Sequence, residues 1–207
     1  MSPDNQYLYV TGGGPPDERN GLSTAGSFSV IDISNRTNPQ EVASLSEGFG
    51  YNEAMCLSAD GKIAFITGSH LDYGTKIGRV DIENPRAPVV IGWTEISDRT
   101  GGPLDFPYHS YSNASNLFLH KSGDYLLTDC SWIEVVGDDP DYINGTRYQT
   151  GDRGGGLLFD IRNGSFELAS HVSASVADAI YIPSSDRIVN HWWSYAGRDG
   201  IKTVSYT

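Results

Sequence analysis

Cysteine is nearly absent from this sequence: Cys56 and Cys130 are the two thiols among 207 residues. Sequence does not assign their state, and two thiols in a chain this long read first as small buried hydrophobes rather than as a disulfide or a site. Long apolar runs are missing as well, so no segment approaches the roughly 18 residues that a membrane-spanning helix needs. The chain does not open on a basic stretch followed by an apolar one, and no secretory signal is expected within it. Positive charge is sparse, with 14 Lys and Arg against 26 Asp and Glu and a net charge of −12. That sign repels a phosphate backbone and no Lys/Arg cluster interrupts it, which excludes nucleic acid as a partner. The acids are mostly Asp and the bases mostly Arg, a bias that fits a secreted or salt-adapted protein.

Helical periodicity is also missing, since no stretch of about ten residues combines a 3.6-residue pattern with caps. Several catalytic signatures are absent with it. No Gly-x-Ser-x-Gly elbow occurs, no His pair stands at HExxH spacing, and neither Gly12-Gly13-Gly14 nor Gly154-Gly155-Gly156 leads into Gly-Lys-Ser/Thr.

What is present is a turn that recurs and each time opens an apolar strand. The copies read Ser2-Pro3-Asp4-Asn5 before Tyr7, Ser58-Ala59-Asp60-Gly61 before Ile63, Lys121-Ser122-Gly123-Asp124 before Tyr125, and Ser184-Ser185-Asp186 before Ile188. Asp, Asn and Gly tolerate the backbone conformations that a hairpin demands. With Tyr7, Ile63, Tyr125 and Ile188 taken as equivalent, the steps are 56, 62 and 63 residues, the signature of a repeat architecture. The strand after each turn is apolar on both faces and so must be covered on both. A third strand follows a variable connection, as in Phe28 to Ile33, Ile77 to Ile82 and Leu157 to Ile161. A fourth closes the unit, as in Glu41 to Leu45 and Val89 to Trp93.

Four short antiparallel strands per repeat predict an all-β fold, a β-propeller with about four four-stranded blades over 2–45, 54–96, 109–172 and 177–207. The first blade lacks its innermost strand and the last its outermost. Unpaired edges on apolar strands are a liability, so further blades or a partner subunit are expected beside this segment.

Asp32-Ile33-Ser34-Asn35 running to Asn38-Pro39, and Asp81-Ile82-Glu83-Asn84-Pro85, resemble the LVIVD-type propeller repeat. Ser-Pro-Asp-Asn and Ser-Ala-Asp-Gly with Tyr7-Leu8-Tyr9-Val10-Thr11 are similar to the related YVTN-type repeat. The resemblance covers residues 2–93 well and 117–206 more loosely. It implies a propeller and no single activity.

In such a fold the connections from second to third strand, and those between blades, share one face, and long polar loops on a rigid scaffold are where function concentrates. That face is expected to gather His70, Asp72, Asp105, His109, Asp129, Glu134 and His191. Such residues could ligate a metal, serve as a general base, or stand as solvated loop residues. His191, with Asn190 beside it, is placed at the position of Val10, Ile66 and Thr128, where a buried polar group needs a partner. Trp132 and Trp192 offer an aromatic platform for a sugar or peptide, or fill the wedge between blades. Asp138, Asp139 and Asp141 supply hard oxygens that suit calcium, without EF-hand spacing. Four Asn-x-Ser/Thr sequons, at Asn35, Asn113, Asn144 and Asn163, hint at an extracellular or cell-surface location.

These features favour a non-catalytic binding or scaffold propeller that recognises a protein or carbohydrate ligand through its loops. The alternative is a metal-assisted hydrolase or lactonase built on the same face, because propellers host both.

Overall fold

The computed structural model describes residues 1–12, 26–46, 49, 51–70, 74–97, 112–113, 116–134, 151–164, 166–174, 178–182, 184, 187–192 and 200–205. It describes side chains within 1–12, 26–46, 49, 54–68, 76–94, 116–128, 157–162, 164, 166–169 and 184.

Among the described residues fifteen strands form four sheets. The first contains β1 (Tyr7–Gly12), β2 (Ser27–Asp32) and β3 (Gln40–Leu45). The second contains β4 (Tyr51–Leu57), β5 (Ile63–His70), β6 (Gly74–Asp81) and β7 (Val89–Ser97). In the third, β8 (Ser112–Asn113) and β9 (Leu117–Leu119) share one edge of β10 (Tyr125–Glu134), followed by β11 (Gly151–Asp160) and β12 (Glu167–Ala174). The fourth contains β13 (Asp178–Ile182), β14 (Arg187–Trp192) and β15 (Gly200–Ser205). Each sheet is an antiparallel meander in chain order. Among the described residues the one helical turn is a 3-10 segment at Arg162–Gly164. The chain is all-β, as its period requires.

The recurring turns are built by side chains that replace lost ladder bonds. The Ser2 hydroxyl donates to Asp4 Oδ1 at 2.6 Å and accepts from the Tyr7 amide at 2.9 Å. Ser58 repeats this with Asp60 and Ile63, at 2.6 and 2.9 Å. The two Asp carboxylates also accept from the Gln6 and Lys62 amides. In the third copy His120 and Ser122 occupy the Ser and Asp positions, with His120 Nδ1 2.9 Å from Ser122 Oγ. The matching backbone bonds are Ser2 N to Tyr7 O, Ser58 N to Ile63 O and His120 N to Tyr125 O. The fourth turn residue has positive φ at Asn5, Gly61 and Gly123. Asn and Gly are the residues that enter this region at least cost.

Backbone register corrects the alignment of the last repeat. Tyr7 pairs with Asp32, Ile63 with Asp81, Tyr125 with Asp160 and Arg187 with Ser205. Arg187, rather than Ile188, therefore begins the fourth copy, and the last two steps are both 62 residues. A one-residue slip exchanges the two faces of a strand. His191 accordingly shares a row with Thr11, Thr67 and Asp129, while Asn190 joins Val10, Ile66 and Thr128. Sequence similarity had favoured Ile188 because it is apolar like Tyr7 and Ile63.

The sheets pack face to face in chain order. Tyr9, Phe28 and Val30 of the first sheet meet Ala64, Ile66, Val80 and Ile82 of the second, with Phe49 buried among them. Aromatic rings run through this layer: Tyr9 stacks on Phe28 at 5.9 Å, Phe28 on Phe49 at 6.4 Å, and Phe49 meets the edge of Trp93 at 5.2 Å. Phe49 thus ties the link between β3 and β4 into the core. Fully burying such a side chain contributes about 1.5–3 kcal/mol. Phe65 and Ile77 then meet Leu117, Leu126, Leu157 and Phe159 of the third sheet. Along each second strand, alternate residues face the following sheet (Tyr9, Phe65) and the preceding one (Ala64, Ile66, Leu126). Leu8 and Val10, on the latter face of β1, are each 38% exposed.

Candidate functional face

The turns between first and second strands, and those between third and fourth, lie at one end of the sheets. At this end the carboxylates of Asp4, Asp32, Asp60, Asp81 and Asp160 are occupied in holding turns. Asp32 Oδ1 accepts from the Ser34 amide and hydroxyl, Asp81 Oδ1 from the Glu83 amide, and Asp160 Oδ1 from the Arg162 amide. Arg86 reaches from the second sheet to Asp32 Oδ2 of the first at 2.6 Å. The Asp of the repeated Asp-Ile pattern is thus a turn cap. The hydroxyls and amides that bond Asp4, Asp32 and Asp60, the serine hydroxyl first in each case, hold these carboxyls below their usual range. For Asp160 the leading cause is Arg162.

Six of the candidate residues, His70, Asp129, Trp132, Glu134, His191 and Trp192, belong toward the opposite end. The second strands β5, β10 and β14 finish there, at His70, Glu134 and Trp192. His70 pairs with Gly74, Asp129 with Gly156, Trp132 with Arg153, Glu134 with Gly151 and Trp192 with Gly200. The backbone therefore carries His70, Asp129, Trp132, Glu134, His191 and Trp192 on corresponding strands of three successive sheets. Their side chains lie outside the described residues. Asp72, Asp105, His109, Asp138, Asp139 and Asp141 lie outside them altogether.

The row that holds Asp129 and His191 has an identifiable task in the second sheet. Opposite Thr67, β4 carries an extra residue, with the register shifting between Asn52 and Met55. Such a bulge removes backbone groups from the ladder. Thr67 is 2% exposed and supplies both replacements: its hydroxyl accepts from the Ala54 amide at 2.9 Å and donates to the Ala54 carbonyl at 3.3 Å. In the third sheet the inner edge is likewise divided, between β8 and β9. There the Thr128 hydroxyl donates to the Asn116 carbonyl at 2.7 Å.

Register adds a residue that the sequence reading missed. Asp178 stands directly across the ladder from His191. Thirteen positions separate them in the chain, so only the β13–β14 pairing could reveal the juxtaposition. Directly opposed residues in an antiparallel pair have Cβ atoms about 5 Å apart, within reach of one another.

Cys56 offers no nucleophile, because burial pushes its thiol up to about 12 and the thiolate is the reactive form. Among the described residues no three His, Cys, Asp or Glu side chains gather as a metal site. No described helix is long and apolar enough to cross a membrane.

No protein-family model matches this chain, and no curated relative does. Its likeness is to solved structures. A protein from Lactobacillus plantarum superposes with a TM-score of 0.56 at 16% identity, over 95% of this chain and 59% of that one. The periplasmic gluconolactonase of Pseudomonas aeruginosa does so with 0.50 at 10% identity, over 99% and 70%. TolB from Acinetobacter baumannii gives 0.52 at 15%, over 99% and 39%. The chain thus spans less than two thirds of the first and third of these. At such identities the likeness is one of fold, and the fold is a β-propeller.

Proposed function

We propose that this chain is part of a lactonase-type propeller. In this reading the face at the ends of β5, β10 and β14 takes up a small polar cyclic ester and opens it with water. The observation that carries the reading is the pairing of Asp178 with His191 near that face. The fold likeness to a periplasmic gluconolactonase supports it.

The chemistry needs few groups. Neutral His191 accepts a proton as water attacks the lactone carbonyl, and Asp178 holds the ring in the required tautomer. The carbonyl oxygen becomes an oxyanion, the ring C–O bond breaks, and the imidazolium returns its proton to the departing alkoxide. The product is an open hydroxy acid. Asp129 stands in the same row one sheet earlier. Trp132 and Trp192 supply apolar surface for the ring faces of a sugar.

The second reading is a non-catalytic binding propeller for a protein or carbohydrate, and Thr67 favours it. Its row serves bulge capping in the second sheet, and Asp129 and His191 could serve the same end. We place the protein outside the cytoplasm in either reading, in keeping with its acidity and with the periplasmic location of the Pseudomonas aeruginosa gluconolactonase. The repeat type, LVIVD or YVTN, also stays a proposal resting on the motifs.

Acid release from glucono-lactone by the purified protein separates the readings. Hydrolysis above the buffer rate is expected, falling about 10²–10⁴-fold in His191→Ala and in Asp178→Asn with the strand signal in circular dichroism unchanged. Folded protein without activity would leave the binding reading in place.

A further inference from the structure

We infer that the face of the first sheet bearing Leu8 and Val10 docks a second copy of this chain, head to tail, through that copy's fourth sheet. The inference is independent of the lactonase proposal.

The described interfaces follow one rule. The corresponding face of the second sheet, with Ala64 and Ile66, is fully buried against the first. Leu126 and Leu157 of the third sheet are buried against Phe65 and Ile77 of the second. Register puts Leu8 level with Ala64 and Leu126, and Val10 level with Ile66 and Thr128. Leu8 and Val10 are therefore residues of a blade-packing face, yet each is 38% exposed. Ile31, paired with Leu8 across the ladder, extends the apolar strip. Among the described residues no strand pairs with the other edge of β1, whereas β5 has β4 there and β10 has β8 and β9. An apolar face beside an open strand edge is a site that invites another sheet.

The complementary surface must be a sheet with a bulky apolar residue in the row of Tyr9 and Phe65. The fourth sheet has Val189 in that row by register, paired with Ile180 and Thr203. One copy thus carries both halves of the contact. Repeated head to tail, such a heterologous contact closes into a ring when the rotation permits. The chain covers 59% and 70% of two propellers that it matches, so a pair of copies supplies enough sheets for closure.

Light scattering after size exclusion tests this on the 207-residue chain at about 50 µM, well above the dissociation constant of a stable interface. The expected mass is twice the 22.5 kDa of one chain. Leu8→Glu combined with Val10→Glu is expected to return it to a single chain, with an unchanged strand signal. The milder Leu8→Thr with Val10→Thr, which puts a residue of high strand propensity in each position, is expected to weaken association at least tenfold. Val89→Glu with Ile91→Glu is the control. These residues are 56% and 50% exposed, lie on the outer strand β7, and should leave the mass unchanged. A folded monomer at that concentration would overturn the inference and assign the face to a blade from elsewhere. A dimer that survives both Leu8/Val10 pairs, or is lost in the Val89/Ile91 pair, would overturn it as well.

Discussion

Pro3 occupies the space over Gly61. A Cβ built on Gly61 would lie 2.5 Å from Pro3 Cγ. The turn of the first sheet therefore rests on the turn of the second. The contact recurs one blade on, where a Cβ on Gly123 would come within 3.2 Å of the Ala59 methyl.

Gly61→Ala is expected to destabilise by about 1–3 kcal/mol, because φ is +71° and the methyl would strike a proline ring. Gly164→Ala is the comparison: φ is +75° there, and nothing lies within 4 Å. It carries the backbone cost alone. Thermal unfolding should show the larger loss at Gly61, and adding Pro3→Ala to Gly61→Ala should recover the difference. Equal losses at the two glycines would refute the turn-on-turn contact.

Thr67→Val keeps the shape of the side chain and removes the hydroxyl that serves both backbone groups of Ala54. Leaving such buried groups unpaired costs about 1–3 kcal/mol. Thr67→Ser, which keeps the oxygen, should lose less. Amide exchange at Ala54 is the direct check, and should speed up in the Val variant well beyond its neighbours.

Acid should loosen the turn face first. Asp4, Asp32, Asp60 and Asp160 have folded pKa values below the ordinary carboxylate value. Their contribution is therefore complete above the unfolded value of about 4. It disappears as pH falls from there through the depressed folded values. A denaturation midpoint followed downward from about pH 5 should drop below pH 4, and the drop should be shallower in Asp60→Asn.

Much of the fold is legible in the residues because the repeat is written by turns. Ser2 and Asp4, like Ser58 and Asp60, satisfy amides only a few positions away, so their pattern needs no knowledge of the rest of the chain. In the third copy Tyr125 holds its place, but His120 and Ser122 do the work of Ser and Asp, a substitution that the residue types do not announce. The fourth copy alone shifts, since Ile188 looks like a strand opener and Arg187 does not. Of the candidate site, the sequence yields residue types and the end of the sheets to which they belong. It cannot yield Asp178 opposite His191, or the bulge at Ala54, because both are facts of pairing between strands.

The sequence alone determined that this protein is a series of short antiparallel strands with a period near 60 residues, acidic and lacking helical periodicity. Local hydrogen bonding in the turns and alternation of apolar residues suffice for that. Tertiary structure decided which face of each strand meets which neighbour, and so which row holds His191 and Asp129. It also decided that Leu8 and Val10 stand uncovered. The reason is that a strand has two faces and a ladder that can slip, and only backbone pairing selects one register over the next.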